Sequence, residues 1–214
     1  MILVNASAHL PKELNPTYEQ LLMQISVPAS KCYRSEAYKN AEDFVQRLMD
    51  RHHDAMLEFG FIQMHIICDR GVSHEIVRHR HFSFAQESTR YCNYSKEKFG
   101  SELTFVKPYW WRTRPNHQPR FKNVCTFAED MYMAAVQNGW SPQDARGVLP
   151  HWVATGIVVG GNIREWRHFI KLRDLGVTGA PHPDMLVVAH ECLLELNAAY
   201  PVFFKDLLSS KPSL

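Results

Sequence analysis

The sequence predicts a mixed α/β domain. Two observations lead there: short apolar runs with β-branched residues, at 61–68, 103–106 and 152–161, and longer stretches whose apolar residues recur at three and four. The two kinds alternate along the chain, and several of the helical stretches pair as hairpins. At 214 residues and 45% hydrophobic, the chain fits a single domain over 1–214 that buries roughly 70% of its unfolded surface without staples.

Taken in order, Thr17-x-x-Gln20 ahead of Leu21, Leu22 and Ile25 is a capping box opening a helix, and Phe44, Val45, Leu48 and Met49 form a second apolar helical face. Ala29 to Tyr33 reads as a polar connection between them. His52-His53-Asp54 reads as a turn leading into a helix that carries Glu58. Phe61 to Cys68 is a buried strand ended by Asp69-Arg70-Gly71, and Ser73 is placed to cap a helix running into Arg78. Leu103 to Val106 is a further strand. Phe121 through Ala135 is an amphipathic helix closed by Gly139.

Ser141-Pro142 opens a short helix up to Pro150, on which Arg146 is a cation among small and apolar neighbours and therefore calls for a partner. Trp152 to Gly161 is a buried strand. Asn162 then caps a helix, with Glu165 completing a capping box and Trp166, Phe169 and Arg173 on one face. Asp184 to Leu196 is amphipathic, His182 is a turn residue between prolines, and Phe203 to Leu208 is a short tail.

Composition excludes several classes. Five cysteines, an odd number without C-x-x-C spacing, argue against a disulfide framework and a zinc site. The start carries too little charge and too short an apolar run for a signal peptide, and no stretch approaches the roughly 20 apolar residues of a membrane span, so the cytoplasm is the expected compartment. A net charge of +2 does not describe a general polyanion binder. His74-Glu75 suggests H-E-x-x-H, but Arg78 occupies the position of the second imidazole, and His79 lies about 140° further round a helix, so no metal is expected.

Between Leu103 and Ala128, Lys107, Arg112, Arg114, Arg120 and Lys122 meet no acid and interleave with Trp110 and Trp111. Single-stranded nucleic acid binders use this pattern. A proline-rich solvated loop with its tryptophans packed underneath is the favoured account of 107–120, and no nucleic acid partner is expected.

Arg78 to Tyr91 gathers Arg78, Arg80 and Arg90 with His79, His81, Ser83, Ser88 and Gln86, opposed only by Glu87. Forked guanidiniums match phosphate oxygens two bonds at a time, and hydrogen bonds to charged groups contribute roughly 1.5–3 kcal/mol each. This is the composition of a phosphate and polar-ring binding loop.

The spacing Arg78-His79-Arg80, seven residues, then Ser88 resembles the signature of the flavin-dependent thymidylate synthases. His53-x4-Glu58, Ala145-Arg146-x-Val148-Leu149-Pro150 and Asn162-x10-Arg173 are similar to other patches of that family. The resemblance implies an α+β fold assembled as a homotetramer, with active sites where subunits meet. It implies methylation of dUMP to dTMP with FAD as cofactor, 5,10-methylenetetrahydrofolate as carbon donor and NADPH as reductant. His53, Arg78, His79, Arg80, Asn162 and His168 would hold FAD, and Glu75, Arg78, Gln86, Glu87, Ser88, Arg90, Arg146 and Arg173 would hold dUMP. Arg173 and Ser88 would carry catalysis, Ser88 as a hydrogen-bond donor. His168 stands where many relatives carry asparagine, and Glu75 and Gln86 where some carry glutamine and glutamate.

Overall fold

Two long strands carry the architecture. In the computed structural model, which describes residues 1–34 and 40–210, β1 (Ile2–Val4), β2 (Ser7–His9), β3 (Phe61–Asp69), β4 (Ser83–Gln86), β5 (Thr104–Val106) and β6 (Ala154–Asn162) form two sheets. One is the parallel pair β1-β5, and the other has the order β2-β3-β6-β4. The helices are α1 (Tyr18–Tyr33), α2 (Ala41–Asp50), α3 (Arg70–Ile76), α4 (Gln118–Gln137), α5 (Pro142–Ala145), α6 (Ile163–Arg173), α7 (Pro183–Ala199) and α8 (Pro201–Ser209). The mixed α/β class follows.

The chain divides into two compact units, one of Met1–Ser7, Ile67–Ile76 and Ala85–Ile157, the other of Ala8–Ile66, Val77–Phe84 and Val158–Leu214. The signature segment is itself divided. Arg78 to Phe84 belongs to the second unit, and Ala85 to Arg90 to the first.

The second unit is helical around one face of β3 and β6. Leu21, Ile25, Val45, Leu48, Trp166, Ile170, Leu193 and Phe203 are all buried, each large apolar side chain contributing roughly 1.5–3 kcal/mol. Thr17 makes the predicted capping box, its hydroxyl accepting from Gln20 N while Gln20 Oε1 accepts from Thr17 N. The polar connection expected at Ala29 to Tyr33 is instead the last part of α1, which continues through Pro28. An internal proline costs a helix roughly 3 kcal/mol. Burial of Leu22, Ile25 and Ala29 along one face offsets it. The short C-terminal tail is a full helix, α8, with Val202, Phe203, Phe204 and Leu207 buried.

In the first unit, Phe105, Phe121, Cys125, Tyr132 and Val153 form the core. Trp110 and Trp111 pack against it, with Phe121 at 5.9 and 5.6 Å, as the proline-rich loop account requires. Helix α4 ends near Gly139, which takes a left-handed conformation at φ 86°. Two expectations fail here. Helix α3 begins at Arg70, not at Ser73, because Asp69 Oδ1 accepts from Val72 N at 2.8 Å and caps it, leaving Ser73 buried mid-helix; it ends at Ile76, before Arg78. Arg146 is exposed on a 3₁₀ turn rather than buried with a partner.

β3 is also less buried than its composition suggests. Ile62, Met64 and Ile66 face inward, while Phe61 and Ile67 remain exposed on the opposite face.

One glycine in the second unit is sterically required. A Cβ on Gly161 would stand 2.2 Å from Phe82 Cδ1, and Phe82 is buried against Trp166 at 4.5 Å. Gly161→Ala should destabilise the protein by about 1–3 kcal/mol through overpacking, read as a lower urea midpoint. Phe82→Leu in the same chain should recover part of the loss, and a Gly161→Ala protein of wild-type stability would show that the Phe82 ring is free to move.

Candidate active site

In the second unit, the turn after α3 presents alternating exposed and buried residues: Arg78 and Arg80 are exposed, and His79 is buried. The alternation is enforced locally. Phe82 N donates to His79 O at 3.1 Å, closing the turn, and Phe82 and Phe169 pack around the imidazole, the latter edge-on at 5.0 Å.

The buried imidazole meets helix α6. Arg173 Nε donates to His79 Nε2 at 3.1 Å, while His79 Nδ1 lies 3.6 Å from Glu165 Oε1. His168, exposed on the same helix, has its ring 6.1 Å from that of His79. Burial pushes the His79 pKa down from 6.5 to about 4, with the Arg173 and His168 charges adding to it. Burial pushes the Glu165 carboxyl up, with His168 and His81 pulling the other way. Around neutral pH His79 is therefore an uncharged hydrogen-bond acceptor for a guanidinium.

Asn162 caps α6 as predicted, its Oδ1 accepting from Glu165 N at 2.9 Å. Glu165 does not play the capping-box part assigned to it; its carboxylate faces His79. Glu165, Phe169 and Arg173 recur at four residues on α6, a spacing that marks one face of a helix, and this was the available sign of its role. His53 is half-buried at the start of the 3₁₀ turn Asp54–Phe59. On that turn Glu58 accepts from Arg164 Nη1 at 2.6 Å.

In the first unit, Gln86 ends β4 within a hydroxyl network. Its Nε2 donates to Ser73 Oγ at 2.9 Å and Thr155 Oγ1 at 3.2 Å, while Ser73 Oγ itself donates to Arg70 O. Sequence reading named Gln86 but not these two hydroxyls. Glu87 accepts from Tyr94 Oη at 2.8 Å, and both line a cavity of about 290 Å³ with Phe99, Thr104 and Thr155.

Ser88 begins a tight turn in which its carbonyl accepts from Tyr91 N and Cys92 N and its Oγ from Arg90 N at 3.3 Å. Arg90 is exposed, donates to Gln143 Oε1 at 3.2 Å and stacks 5.3 Å from the Tyr91 ring centroid. Glu75 is half-buried near the end of α3. His74 packs edge-on to His151 at 5.5 Å. Among the described residues no group of three or more His, Cys, Asp or Glu is arranged to hold a metal, and no helix is long and apolar enough to cross a membrane.

The fold has counterparts among solved structures. It matches the UMP/dUMP methylase PolB from Streptomyces cacaoi bound with 5-Br dUMP, with a TM-score of 0.77 at 18% identity over 98% of this chain and 97% of that one. The same methylase bound with 5-Br UMP gives 0.76 at 17% identity. Residues 17–202 match the family described as thymidylate synthase complementing protein. The flavin-dependent thymidylate synthase of Corynebacterium glutamicum is 32% identical over 175 residues, covering 76% of this chain and 68% of that protein. That of Mycobacterium marinum is 30% identical over 202 residues, covering 82% and 75%. The chain belongs to the flavin-dependent thymidylate synthase family.

The depressed His79 pKa has a measurable consequence. Between pH 6.5 and about 4 the unfolded chain binds a proton that the folded imidazole refuses, so this group's contribution to stability is complete above pH 6.5 and is lost as pH falls toward 4. The amount is on the order of 3 kcal/mol. Urea titrations of wild type and His79→Gln across that window should differ in slope by this component, the wild type losing more stability on acidification; parallel curves would mean that His79 titrates normally.

Proposed function

We propose that the protein is an FAD-dependent thymidylate synthase that methylates dUMP to dTMP, with 5,10-methylenetetrahydrofolate giving the carbon and NADPH the electrons. It works as a cytoplasmic homotetramer of single-domain chains. A folate methylene is one two-electron reduction above a methyl group, so carbon transfer needs a hydride. Bound flavin supplies it.

The observation that carries the proposal is the Arg173–His79 hydrogen bond in a chain of this family. It fixes a cation at the C-terminal end of α6 by a neutral partner that does not cancel its charge. A guanidinium so held, set against the uracil ring, stabilises negative charge that develops on the pyrimidine, a role worth about 3–4 kcal/mol for one preorganised donor.

The exposed guanidiniums of Arg78 and Arg80 suit the flavin phosphates, their turn anchored by buried His79, with Asn162, His53 and His168 completing the cofactor set. Glu75, Arg78, Gln86, Glu87, Ser88, Arg90, Arg146 and Arg173 take dUMP. The exposure of Arg146 and Arg90 suits phosphate binding better than a structural role. The Ser88 hydroxyl, accepting from Arg90 N, is polarised toward donation to the nucleotide. A tetramer brings residues from neighbouring chains to each site.

The decisive experiment is an absorption spectrum of the purified protein followed by a dUMP methylation assay. Yellow protein that makes dTMP with the folate and NADPH is expected, and a protein that takes up no added FAD ends the proposal. In that assay Arg173→Ala should keep its flavin and fold yet lose about 10²–10³ in turnover; near-normal turnover would return Arg173 to the role of a helix-terminal charge.

Burial, followed by the Glu87 charge, pushes the Cys92 thiol pKa up, opposite to what a nucleophile needs. Cys92→Ala should therefore retain turnover. Its loss with FAD and dUMP still bound would place covalent attack in the mechanism.

A further inference from the structure

Gln86 spends its whole amide nitrogen on the protein and leaves its oxygen outside. Strand β4 pairs with β6 and turns Gln86 to its half-buried side, where the amide meets Ser73 of α3 and Thr155 of β6, both buried. Nε2 donates to Ser73 Oγ at 2.9 Å and to Thr155 Oγ1 at 3.2 Å, one bond for each of its two hydrogens. Ser73 is already committed as a donor, to Arg70 O at 2.9 Å, so toward Gln86 it can only accept. The amide therefore has one orientation, because reversing it would set an oxygen against the lone pairs of Ser73. Among the described residues nothing donates to Oε1, which is reachable from solvent rather than buried without a partner.

An apolar residue here would need neither hydroxyl, and buried hydroxyls cost free energy unless they are bonded. The arrangement does one thing that an apolar residue could not: it points a fixed acceptor outward.

We propose that Ser73 and Thr155 are positioning residues that lock Gln86 as an acceptor-only group for the bound nucleotide. The ligand side of this rests on the synthase reading above, in which Gln86 takes dUMP, but the lock does not. With its phosphate ionised, dUMP carries two hydrogen-bond donors, the N3–H of the base and the 3′ hydroxyl, and its other polar atoms accept. A locked carbonyl pairs with one of those donors and with nothing else on the molecule. A free amide would present its NH₂ group as readily and would lose the distinction.

If Gln86 were instead a strut between α3 and β6, removing one hydroxyl would lower stability and leave ligand preference unchanged. The lock predicts that the preference moves.

The test compares the purified wild type with Thr155→Val, which removes one acceptor, Ser73→Ala, which removes the other, and Thr155→Ser, which keeps the hydroxyl. With ¹⁵N at the glutamine side chains, and Gln86 assigned by the signal lost in Gln86→Leu, its amide hydrogens should exchange with solvent about 10-fold faster in Thr155→Val and Ser73→Ala than in wild type or Thr155→Ser. In calorimetric titrations dUMP should bind the first two variants about 3–10-fold more weakly than wild type, the range of one hydrogen bond. That difference should vanish for the analogue that lacks the partner donor, N3-methyl-dUMP or the 2′,3′-dideoxy nucleotide, and this tells the two donors apart. A wild-type amide exchanging as fast as that of exposed Gln24 overturns the lock with no variant at all. Equal exchange in wild type and whichever of Thr155→Val and Ser73→Ala folds overturns it too, and faster exchange with unchanged dUMP affinity overturns the role toward the nucleotide. A wild type that binds no dUMP refutes the proposed reaction, and the exchange rates then decide the lock alone.

Discussion

A buried imidazole that must stay uncharged is the constraint on which the signature turn depends. Burying a polar ring without partners costs a few kcal/mol, and His79 offsets that cost by accepting at Nε2 from Arg173 while its Nδ1 lies 3.6 Å from the Glu165 carboxylate, both residues of α6. Its neighbours follow from this. Gly161 lacks a side chain because Phe82 needs the space, and Phe82 and Phe169 close the apolar walls that keep the ring dry. With His79 held inward, Arg78 and Arg80 on either side are left facing outward, so two exposed cations are presented by one buried neutral base.

The first unit solves an analogous problem with hydroxyls. Ser73 commits its proton to Arg70 O, so toward Gln86 it acts as an acceptor and fixes which end of the amide faces it. Thr155 accepts from the same nitrogen. A side-chain amide that could rotate freely is thereby given one orientation, with its NH₂ group turned into the protein. On the same unit, Trp110 and Trp111, both half-buried, pack edge-on against Phe121, tying the proline-rich loop to the core.

Local signals were legible where one interaction decides the outcome. The capping box at Thr17, the Asn162 cap and the three-and-four spacing of Phe121, Cys125, Ala128 and Tyr132 each became the expected element. Where two signals competed, the tertiary one prevailed: α1 runs through Pro28 because a buried face continues beyond it, and α3 starts at Arg70 because Asp69 at the end of a strand doubles as a cap. Arg146 looked internal from its small neighbours, but a short turn has an outer side that composition cannot reveal. Glu165 was hidden by a pattern it also satisfies, since an acid three residues after a capping asparagine is ordinary. Its second allegiance, to a histidine far away in sequence, leaves only the four-residue recurrence with Phe169 and Arg173 as a local trace.

The division of the chain into two interleaved units bears on how it is made. Strand β1 finds its partner only when β5 has been synthesised, as the register Ile2↔Thr104 requires, and the second unit begins at Ala8 yet draws α6, α7 and α8 from the end of the chain. Pairings so distant in sequence close late and slowly. A ribosome releasing this chain therefore emits α1 and α2, which pack on each other and on the Asp54–Phe59 turn, before α6 and α8 exist to cover the rest of their apolar faces. During that interval the parts of those faces still bare are binding sites for chaperones or for other unfinished copies.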